Sequence, residues 1–329
     1  MAEAKVVITD MMADDLAPER EVLGTGVRLE ALDARREEDL AGRIEDADAV
    51  IVYQLTLSRP TIERLGRCRV IVRGGVGYDT VDGPFARERG IPVANVPDYC
   101  TEEVADLALG LMLALTRGLA SLNSRLRARA APWSYTEAVP LRRLRGRVLG
   151  IVGLGRIGTA TALRAKALGM EVAYHDPYKP PGFDKALGLR RVETLEELVR
   201  GSWVLSLHCP LTPETRGMIG ARTLSRLPPG AYLVNTARGA LVDTAAVPAA
   251  LASGRLAGVG LDVLESEPPA DDDPLIRAWR DPGHPAHTRV VLTPHSAFYS
   301  EESRREVRTK AALTCLRALA GEPIPNVVN

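Results

Sequence analysis

The 329-residue chain carries 42 Lys and Arg against 42 Asp and Glu, so its formal net charge at pH 7 is zero. No global field therefore favours nucleic acid, an acidic membrane surface or another polyanion as a partner, and a small ligand suits this composition better. The length exceeds what a single core usually fills, and the sequence predicts two domains of ordinary size.

The cysteines and the first residues bear on location. Cys68, Cys100, Cys209 and Cys315 lie far apart without a C-x-x-C pair, which argues against a zinc knuckle and against a disulfide framework. The chain starts directly with an apolar strand, without the regions of a secretory signal, and no apolar run approaches a membrane span. We therefore expect a cytoplasmic protein with reduced thiols, no metal site and no membrane partner.

Short aliphatic segments alternate with helical stretches along the chain. The predicted strands are, in order, Val6 to Thr9, Ala49 to Tyr53, Val70 to Val72, Pro92 to Val96, Val148 to Val152, Glu171 to Tyr174, Trp203 to Leu207, Tyr232 to Asn235, Val259 to Val263 and Val290 to Leu292. This alternation predicts parallel sheets with helices on both faces. Two such series predict an α/β protein with two doubly wound parallel-sheet domains.

Four longer segments connect or end these series. Thr101 to Ala120, rich in Ala and Leu, is predicted as a helix that links the two domains. The Arg-rich Arg125 to Arg147 is predicted as a solvated surface crossover, and Asp271 to Thr288, with three prolines, as a loop. The last helix, Glu302 to Leu319, is expected to return the chain to the first domain.

A dinucleotide-binding fingerprint follows the predicted strand at Val148. Gly153, Gly155 and Gly158 form the pattern G-x-G-x-x-G directly before a predicted helix at Thr159 to Leu168. The first glycine permits a tight turn, the second lets the backbone approach a pyrophosphate, and the third allows close packing of the helix on the strand. The N-terminus of the helix favours the negative charge of the phosphates.

An acidic residue, Asp176, ends the next predicted strand, eighteen residues after Gly158. A carboxylate in this position accepts hydrogen bonds from the adenosine ribose hydroxyls and repels a 2′-phosphate. The sequence therefore predicts NAD rather than NADP as the cofactor.

Three functional side chains follow successive predicted strands of the second domain: Arg238, Glu267 and His295. Reduction of a 2-oxo acid by a nicotinamide requires a group that holds the carboxylate, a group that polarises the carbonyl and a proton donor. A guanidinium pairs bidentately with a carboxylate, and a neighbouring carboxylate orients an imidazole and favours its protonated form. We predict Arg238 as the cation, His295 as the proton donor and acceptor, and Glu267 as the partner of His295.

Other residues compete for these roles or complement them. His208 also follows a strand, but His295 is preferred because a glutamate lies at hand. In the first domain, the glycine-rich segment from Arg73 to Asp79 offers amides that can grip a carboxylate, with Arg73 adding charge, although a plain tight turn is the alternative. We expect this segment to form the other wall of a cleft that closes about a hinge between Pro97 and Thr101.

These motifs, in this order, resemble the D-isomer-specific 2-hydroxyacid dehydrogenases, and within that family most closely the branch of the C-terminal binding proteins. The likeness is carried by Arg73-Gly-Gly-Val-Gly-Tyr-Asp79, Gly153-Leu-Gly-Arg-Ile-Gly158, His208-Cys-Pro-Leu-Thr, Asn235-Thr-Ala-Arg238-Gly, Asp262 to Pro268 and Thr293-Pro-His295. The resemblance implies a Rossmann NAD-binding domain at 99–297 and a flavodoxin-like substrate domain at 1–98 and 298–329. It also implies a homodimer formed through the nucleotide domain, with Arg238, Glu267 and His295 as the catalytic set.

The resemblance further implies which residues contact each ligand. Cofactor contacts are expected from the three fingerprint glycines and from Val76, Arg156, Ile157, Asp176, Cys209, Thr236, Ala237, Arg238, Asp262 and His295. Substrate contacts are expected from Arg73, from the amides of Val76 and Gly77, and from Phe298. Phe298 stands where that branch carries a tryptophan, which predicts a larger substrate pocket.

The predicted function is NAD(H)-dependent reduction of a small 2-oxo carboxylic acid to the D-2-hydroxy acid, or the reverse. The alternative from another class is an NAD(H)-sensing, co-repressor-like regulator, although sensing alone would not require a proton donor such as His295. Oxidation of phosphonate or formate is a third reading, and those chemistries make no use of a 2-oxo carboxylate nest. Glyoxylate, hydroxypyruvate, phosphorylated or phosphonylated pyruvates and longer aliphatic 2-oxo acids all fit the sequence.

Overall fold

The computed structural model describes residues 3–128, 132–138 and 140–329 of the chain. The chain separates into two units. Unit 1 comprises Met1–Cys100 and Tyr299–Asn329, and unit 2 comprises Thr101–Phe298. Phe298, predicted at the start of the returning segment of the substrate domain, falls in unit 2.

The strands follow one another in two series. Unit 1 contains β1 (Ala4–Ile8), β2 (Val27–Ala31), β3 (Ala49–Val52), β4 (Ile71–Arg73) and β5 (Val93–Asn95). Unit 2 contains β6 (Val148–Val152), β7 (Glu171–His175), β8 (Arg190–Arg191), β9 (Val204–Leu207), β10 (Ala231–Asn235), β11 (Leu256–Leu261) and β12 (Val290–Leu292).

The helices connect these strands. They are α1 (Ala17–Leu23), α2 (Arg59–Glu63), α3 (Gly83–Glu88), α4 (Thr101–Thr116), α5 (Leu119–Arg127), α6 (Arg156–Ala167), α7 (Phe183–Leu187), α8 (Leu195–Gly201), α9 (Ala221–Leu224), α10 (Val247–Ala252), α11 (Pro274–Arg280), α12 (Ala286–Arg289) and α13 (Glu301–Ala320). Short 3₁₀ turns occur at Glu37–Leu40, Tyr135–Ala138, Gly239–Leu241 and Thr244–Ala246. No single helix of the described chain is long and apolar enough to span a membrane, and α4 with α5 reaches that length only across a 61° bend.

Unit 1 is a parallel sheet in the order β2-β1-β3-β4-β5. This is the flavodoxin-like order, in which the chain reverses direction across the sheet between β1 and β3. The central strand β3 is buried along its whole length, as expected for a strand covered on both faces. The C-terminal helix α13 packs against α1, β3 and β4 within this unit.

Unit 2 is a parallel sheet in the order β12-β11-β10-β9-β6-β7-β8. Six of these strands reproduce the Rossmann order 3-2-1-4-5-6 when β6 is counted as the first, and β12 extends the sheet beyond β11. The strand order reverses between β6 and β9. Strands β9 and β10 are buried throughout, so their carboxyl ends emerge from the middle of the core. Both sheets confirm the predicted α/β class.

Two predicted loops contain helices, so the sequence reading was wrong there. Helix α11 starts at Pro274, and the side chain of Asp273 accepts hydrogen bonds from Leu275 N and Ile276 N. Proline at the first helical position and aspartate before it are a helix start signal. The loop was predicted because proline inside a helix breaks it. Helix α12 lies in the same segment.

The predicted crossover Arg125 to Arg147 also begins inside a helix, because α5 extends to Arg127. Residues 129–131 and 139 of this segment lie outside the described residues. Strands β2 and β8 were not predicted. Both lie at sheet edges, and their charged residues hide the aliphatic pattern of a buried strand.

Arg308 of α13 ties the C-terminal helix to the N-terminal part of unit 1. Its guanidinium donates to Glu19 at 2.7 and 2.6 Å and to Asp14 at 2.7 and 2.8 Å. The side chains of Arg308 and Glu19 are 4% and 0% exposed. The hydrogen bonds from Arg308 hold the pKa of Asp14 at about 2. The pairing therefore neutralises a carboxylate that is buried in the unit.

Removal of this guanidinium should destabilise the protein strongly. Arg308→Met keeps much of the aliphatic volume but leaves Glu19 buried without its cation, which typically costs about 3–5 kcal/mol of unfolding free energy. Arg305→Met, three residues earlier on α13, removes only an exposed pair with Glu21 and should cost about 0–1 kcal/mol. Urea denaturation of both variants tests this, and equal costs would contradict the account.

Candidate active site

The glycine loop after β6 has the geometry that a dinucleotide site needs. Gly153 adopts φ +87°, and a Cβ on it would lie 2.8 Å from backbone atoms of Cys209. A Cβ on Gly158 would lie 2.2 Å from the carbonyl oxygen of Gly153. Gly155 is exposed and precedes the first residue of α6, Arg156. The turn, the close packing and the open approach therefore fall where the sequence analysis predicts them.

Asp176 lies at the end of β7 and is fixed against this loop. Its Oδ2 accepts from Leu154 N at 2.8 Å, and its Oδ1 accepts from Tyr178 N at 3.0 Å. Each oxygen keeps a further lone pair for a ligand hydroxyl. The carboxylate is thus oriented before any ligand arrives, which suits recognition of a ribose.

Further groups at this edge of the sheet fit a bound NAD. The first amides of α6, at Arg156 and Ile157, precede the intrahelical hydrogen-bond pattern and are free to meet an anion. The buried Thr236 Oγ1 has no hydrogen-bond partner among the described residues. Burial raises the pKa of the Cys209 thiol to about 11, so this side chain offers a neutral surface. The residues present therefore suit the cofactor, and Thr236 retains a polar atom for it.

A turn after β10 presents Arg238. The fully buried Asn235 makes this turn, because its Nδ2 donates to Arg238 O at 2.8 Å and its Oδ1 accepts from Ala237 N at 3.0 Å. Arg238 is half-buried, and its Nη1 donates to Ala237 O at 2.8 Å. The turn therefore fixes the guanidinium close to its own backbone at the carboxyl edge of the sheet.

His295 and Glu267 form the predicted pair. His295 Nδ1 lies 2.6 Å from Glu267 Oε2, and Glu267 Oε1 accepts from Leu264 N at 2.8 Å. Burial alone raises the pKa of Glu267, but the hydrogen bonds from His295 and Leu264 and the charge of Arg238 outweigh it and hold the pKa below its usual value. Glu267 is therefore ionised at neutral pH, and Arg238 is near enough to act on it.

Asp262 holds the segment that carries His295. Its buried carboxylate accepts from Thr293 Oγ1 at 2.6 Å, from Ser296 N at 2.9 Å and from Ala297 N at 2.9 Å. Its carbonyl oxygen accepts from His295 N at 2.8 Å. His295 itself has φ +51°, a region that non-glycine residues seldom adopt. Asp262, predicted as a cofactor contact, thus also fixes the backbone of His295.

Phe298 is predicted beside the substrate, and His208 is the alternative to His295 as proton donor. The ring of Phe298 lies edge-on to that of His295, with centroids 6.2 Å apart. His208, the competing histidine, lies against Gly153 and pairs with Ser206 Oγ at 2.9 Å rather than with a carboxylate. Burial lowers the pKa of His208 to about 4, which keeps it neutral at physiological pH. His208 therefore lacks the carboxylate partner that His295 has.

The glycine-rich loop of unit 1 follows β4. Asn95 Nδ2 donates to Val76 O at 2.7 Å and holds the loop from the neighbouring strand. Within the described residues, neither Val76 N nor Gly77 N donates to a protein acceptor. The side chain of Arg73 folds back over Gly75, where an added Cβ would overlap its guanidinium. This loop therefore combines two available amides with an adjacent positive charge.

Several residues that shape the site were not singled out from the sequence. Asn235, Leu264 and Thr293 act through hydrogen bonds to Arg238, Glu267 and Asp262. All three belong to the quoted motifs, which was the available signal, but the hydrogen bond of a backbone amide such as that of Leu264 leaves no trace in the sequence. No cluster of three or more metal-ligating side chains occurs in the part of the chain that the structure describes.

A family model described as "D-isomer specific 2-hydroxyacid dehydrogenase, NAD binding domain" matches residues 109–297. The chain belongs to the D-isomer specific 2-hydroxyacid dehydrogenases. These are NAD-dependent enzymes, and the matched domain identifies NAD as the cofactor. The comparisons do not separate the branches of the family, so the likeness to the C-terminal binding protein branch stays a prediction.

Named relatives cover most of the chain. It is 36% identical over 326 residues to a D-3-phosphoglycerate dehydrogenase of Methanocaldococcus jannaschii, which includes 99% of this chain but 59% of that protein. It is 40% identical over 290 residues to a glyoxylate reductase of Korarchaeum cryptofilum, covering 87% and 84% of the two chains. The crystal structure of a glyoxylate reductase from Paecilomyes thermophila matches with a TM-score of 0.86, 30% identity and coverage of 100% and 99%.

Substitution of Asp176 should separate its two roles. Asp176→Ala removes the acceptor for Leu154 N and the charge that disfavours a 2′-phosphate, so NADH affinity should fall by about tenfold or more and the preference over NADPH should narrow. Asp176→Asn keeps an acceptor but loses the charge. Its affinity for NADH should therefore fall less than that of Asp176→Ala, while its preference for NADH over NADPH should narrow to a similar extent. Fluorescence titrations with both cofactors measure this. Tighter binding of NADPH than NADH to the wild type would contradict the assignment.

Proposed function

We propose that the protein reduces a small 2-oxo carboxylic acid to the D-2-hydroxy acid with NADH, and catalyses the reverse with NAD. The observation that carries this proposal is the contact of 2.6 Å between His295 Nδ1 and the ionised Glu267, with Arg238 near enough to lower the pKa of Glu267. A proton donor oriented by a carboxylate beside a guanidinium matches what carbonyl reduction needs.

Each residue has one task in this proposal. NAD(H), when bound, would supply or accept the hydride at C2 of the acid. His295 gives its proton to the carbonyl oxygen during reduction and takes it back from the hydroxyl during oxidation. Glu267 orients the imidazole, while Arg238 stabilises the negative charge that develops on the substrate oxygen.

The carboxylate of the substrate is expected to bind the amides of Val76 and Gly77, assisted by Arg73. Backbone amides in such a nest favour an anion without selecting its side chain. The relatives are named for glyoxylate and for 3-phosphoglycerate, both small acids, which supports a substrate of this class. Phe298 beside His295 is the proposed neighbour of the substrate side chain.

A panel of 2-oxo acids with NADH tests the proposed function. Glyoxylate, hydroxypyruvate, pyruvate, a phosphorylated pyruvate and longer aliphatic acids should include at least one that consumes NADH. Every chiral product, which excludes the glycolate formed from glyoxylate, should be the D isomer. The matching aldehydes, which lack the carboxylate, should not react. Tight NADH binding without turnover of any acid would instead favour the NAD(H)-sensing regulator.

Two arginines should separate transition-state stabilisation from substrate binding. Arg238→Lys should lower kcat by on the order of 10²- to 10³-fold, because lysine lacks the planar fork that stabilises developing charge. Arg73→Lys should mainly raise KM, because the amides of Val76 and Gly77 remain. Steady-state kinetics on the best substrate decide between these roles. A deep loss of kcat in Arg73→Lys with only a KM effect in Arg238→Lys would reverse them.

The charge on Glu267 should set the pH range of reduction. Because its pKa is held below the usual value, Glu267 is charged at neutral pH beside the imidazole of His295. Glu267→Gln removes that charge. The descending limb of the pH profile, where reductase activity falls as the pH rises, should therefore move to lower pH by about 1 pH unit or more. Rate profiles from pH 5 to about 10 measure this. An unchanged descending limb would remove Glu267 from the role.

We also propose a homodimer formed through unit 2. Helix α5 has no buried residue in the described chain. Leu119 and Leu126 on this helix, and Trp133 and Tyr135 in the segment that follows it in sequence, are exposed apolar or aromatic side chains. Leu119→Glu should yield a monomer in light scattering, whereas Leu313→Glu on α13 should not. A monomeric wild type would contradict the proposal. The cytoplasmic location stays a prediction.

A further inference from the structure

Gly239 lies where the loops after β10 and β11 pass each other. A Cβ at this position would lie 1.9 Å from Leu264 C, 2.1 Å from Leu264 O and 2.3 Å from Glu265 N. All three are backbone atoms, which cannot rotate away as a flexible side chain can. Any other residue at this buried position would therefore push the two loops apart.

The loop that this contact fixes also carries an anchor of the site. Leu264 N donates to Glu267 Oε1 at 2.8 Å, and the other carboxylate oxygen meets His295 Nδ1 at 2.6 Å. A carboxylate held at one oxygen presents the other in a fixed direction. The place of the Leu264 amide therefore determines how Glu267 faces His295.

The loop after β11 also forms an ion pair at the protein surface. Glu265 pairs with Arg216 at 3.0 Å, but the two side chains are 64% and 58% exposed, and exposed pairs contribute little. On the opposite side, Asn235 already fixes the turn from Ala237 to Arg238, which immediately precedes Gly239. The backbone contact at Gly239 thus joins a rigid turn directly to the loop that holds Glu267.

We propose that Gly239 is a positioning residue for the reaction. Its lack of a side chain lets the Arg238 turn press on Leu264, which sets the Leu264 amide and through it the orientation of Glu267 towards His295. The proposal rests on the proposed function, since it concerns the proton donor of that reaction. It assigns Gly239 no contact with substrate or cofactor.

Gly239→Ala tests this proposal. The variant should lose kcat by about 10- to 100-fold, because a displacement of about 1 Å has this effect on positioned groups, while KM for the oxo acid changes by less than about threefold. The descending limb of its pH profile should move to lower pH, as in Glu267→Gln. In the double variant Gly239→Ala/Glu267→Gln, the second change should add less than about twofold, because both act through one interaction.

The control is Gly201→Ala at the end of α8, where an added Cβ makes only an ordinary contact at 3.6 Å with Arg190. It should leave kcat and the pH profile unchanged. Circular dichroism and NADH titration establish that each variant is folded. A folded Gly239→Ala with the wild-type pH profile, or with effects that add fully to those of Glu267→Gln, would overturn the proposal.

If Gly239→Ala does not fold, hydrogen exchange at the Leu264 amide gives the decision. The amide should exchange at least about tenfold faster in Glu267→Ala than in the wild type, since that variant removes its acceptor. Equal exchange rates would overturn the proposal. A wild type that reduces no 2-oxo acid would refute the proposed function itself. The outcomes above would refute only the role of Gly239, so the two failures are distinguishable.

Discussion

The buried carboxylate of Asp262 is the constraint on which the candidate site depends. It accepts three hydrogen bonds from the segment between Thr293 and Ala297. The backbone carbonyl of Asp262 accepts a fourth from His295 N. A buried carboxylate left without such donors would be costly, so this segment is strongly fixed. The left-handed backbone of His295 is held by these bonds, and Glu267 then meets an imidazole whose place is already set.

The parallel sheet of unit 2 brings these groups together. Strands β10, β11 and β12 are neighbours, and the loops at their carboxyl ends carry Arg238, Glu267 and His295. The same edge, on the other side of the strand-order reversal, carries the glycine loop and Asp176. Hydride transfer and proton transfer can thus be served by one edge of one sheet, as in other open α/β folds.

Much of this arrangement could be predicted from the sequence, for physical reasons. The glycines at 153 and 158 are required by backbone contacts, and the buried strands read as aliphatic runs, so the fingerprint and most of the sheet were recognisable. Edge strand β2 and helix α11 were missed because charged residues and a proline obscured their patterns. The link from Gly239 through Leu264 to Glu267 depends on a tertiary backbone approach, which no local pattern encodes.

The central claim is that His295 exchanges a proton with the substrate oxygen in both directions. The most direct test is the pH dependence of kcat/KM for the wild type, measured for reduction and for oxidation of the same substrate pair. Reduction should fall and oxidation should rise with pH around one shared midpoint, because one needs the protonated and the other the neutral imidazole. Profiles that rise or fall together, or that show no such group, would contradict the account.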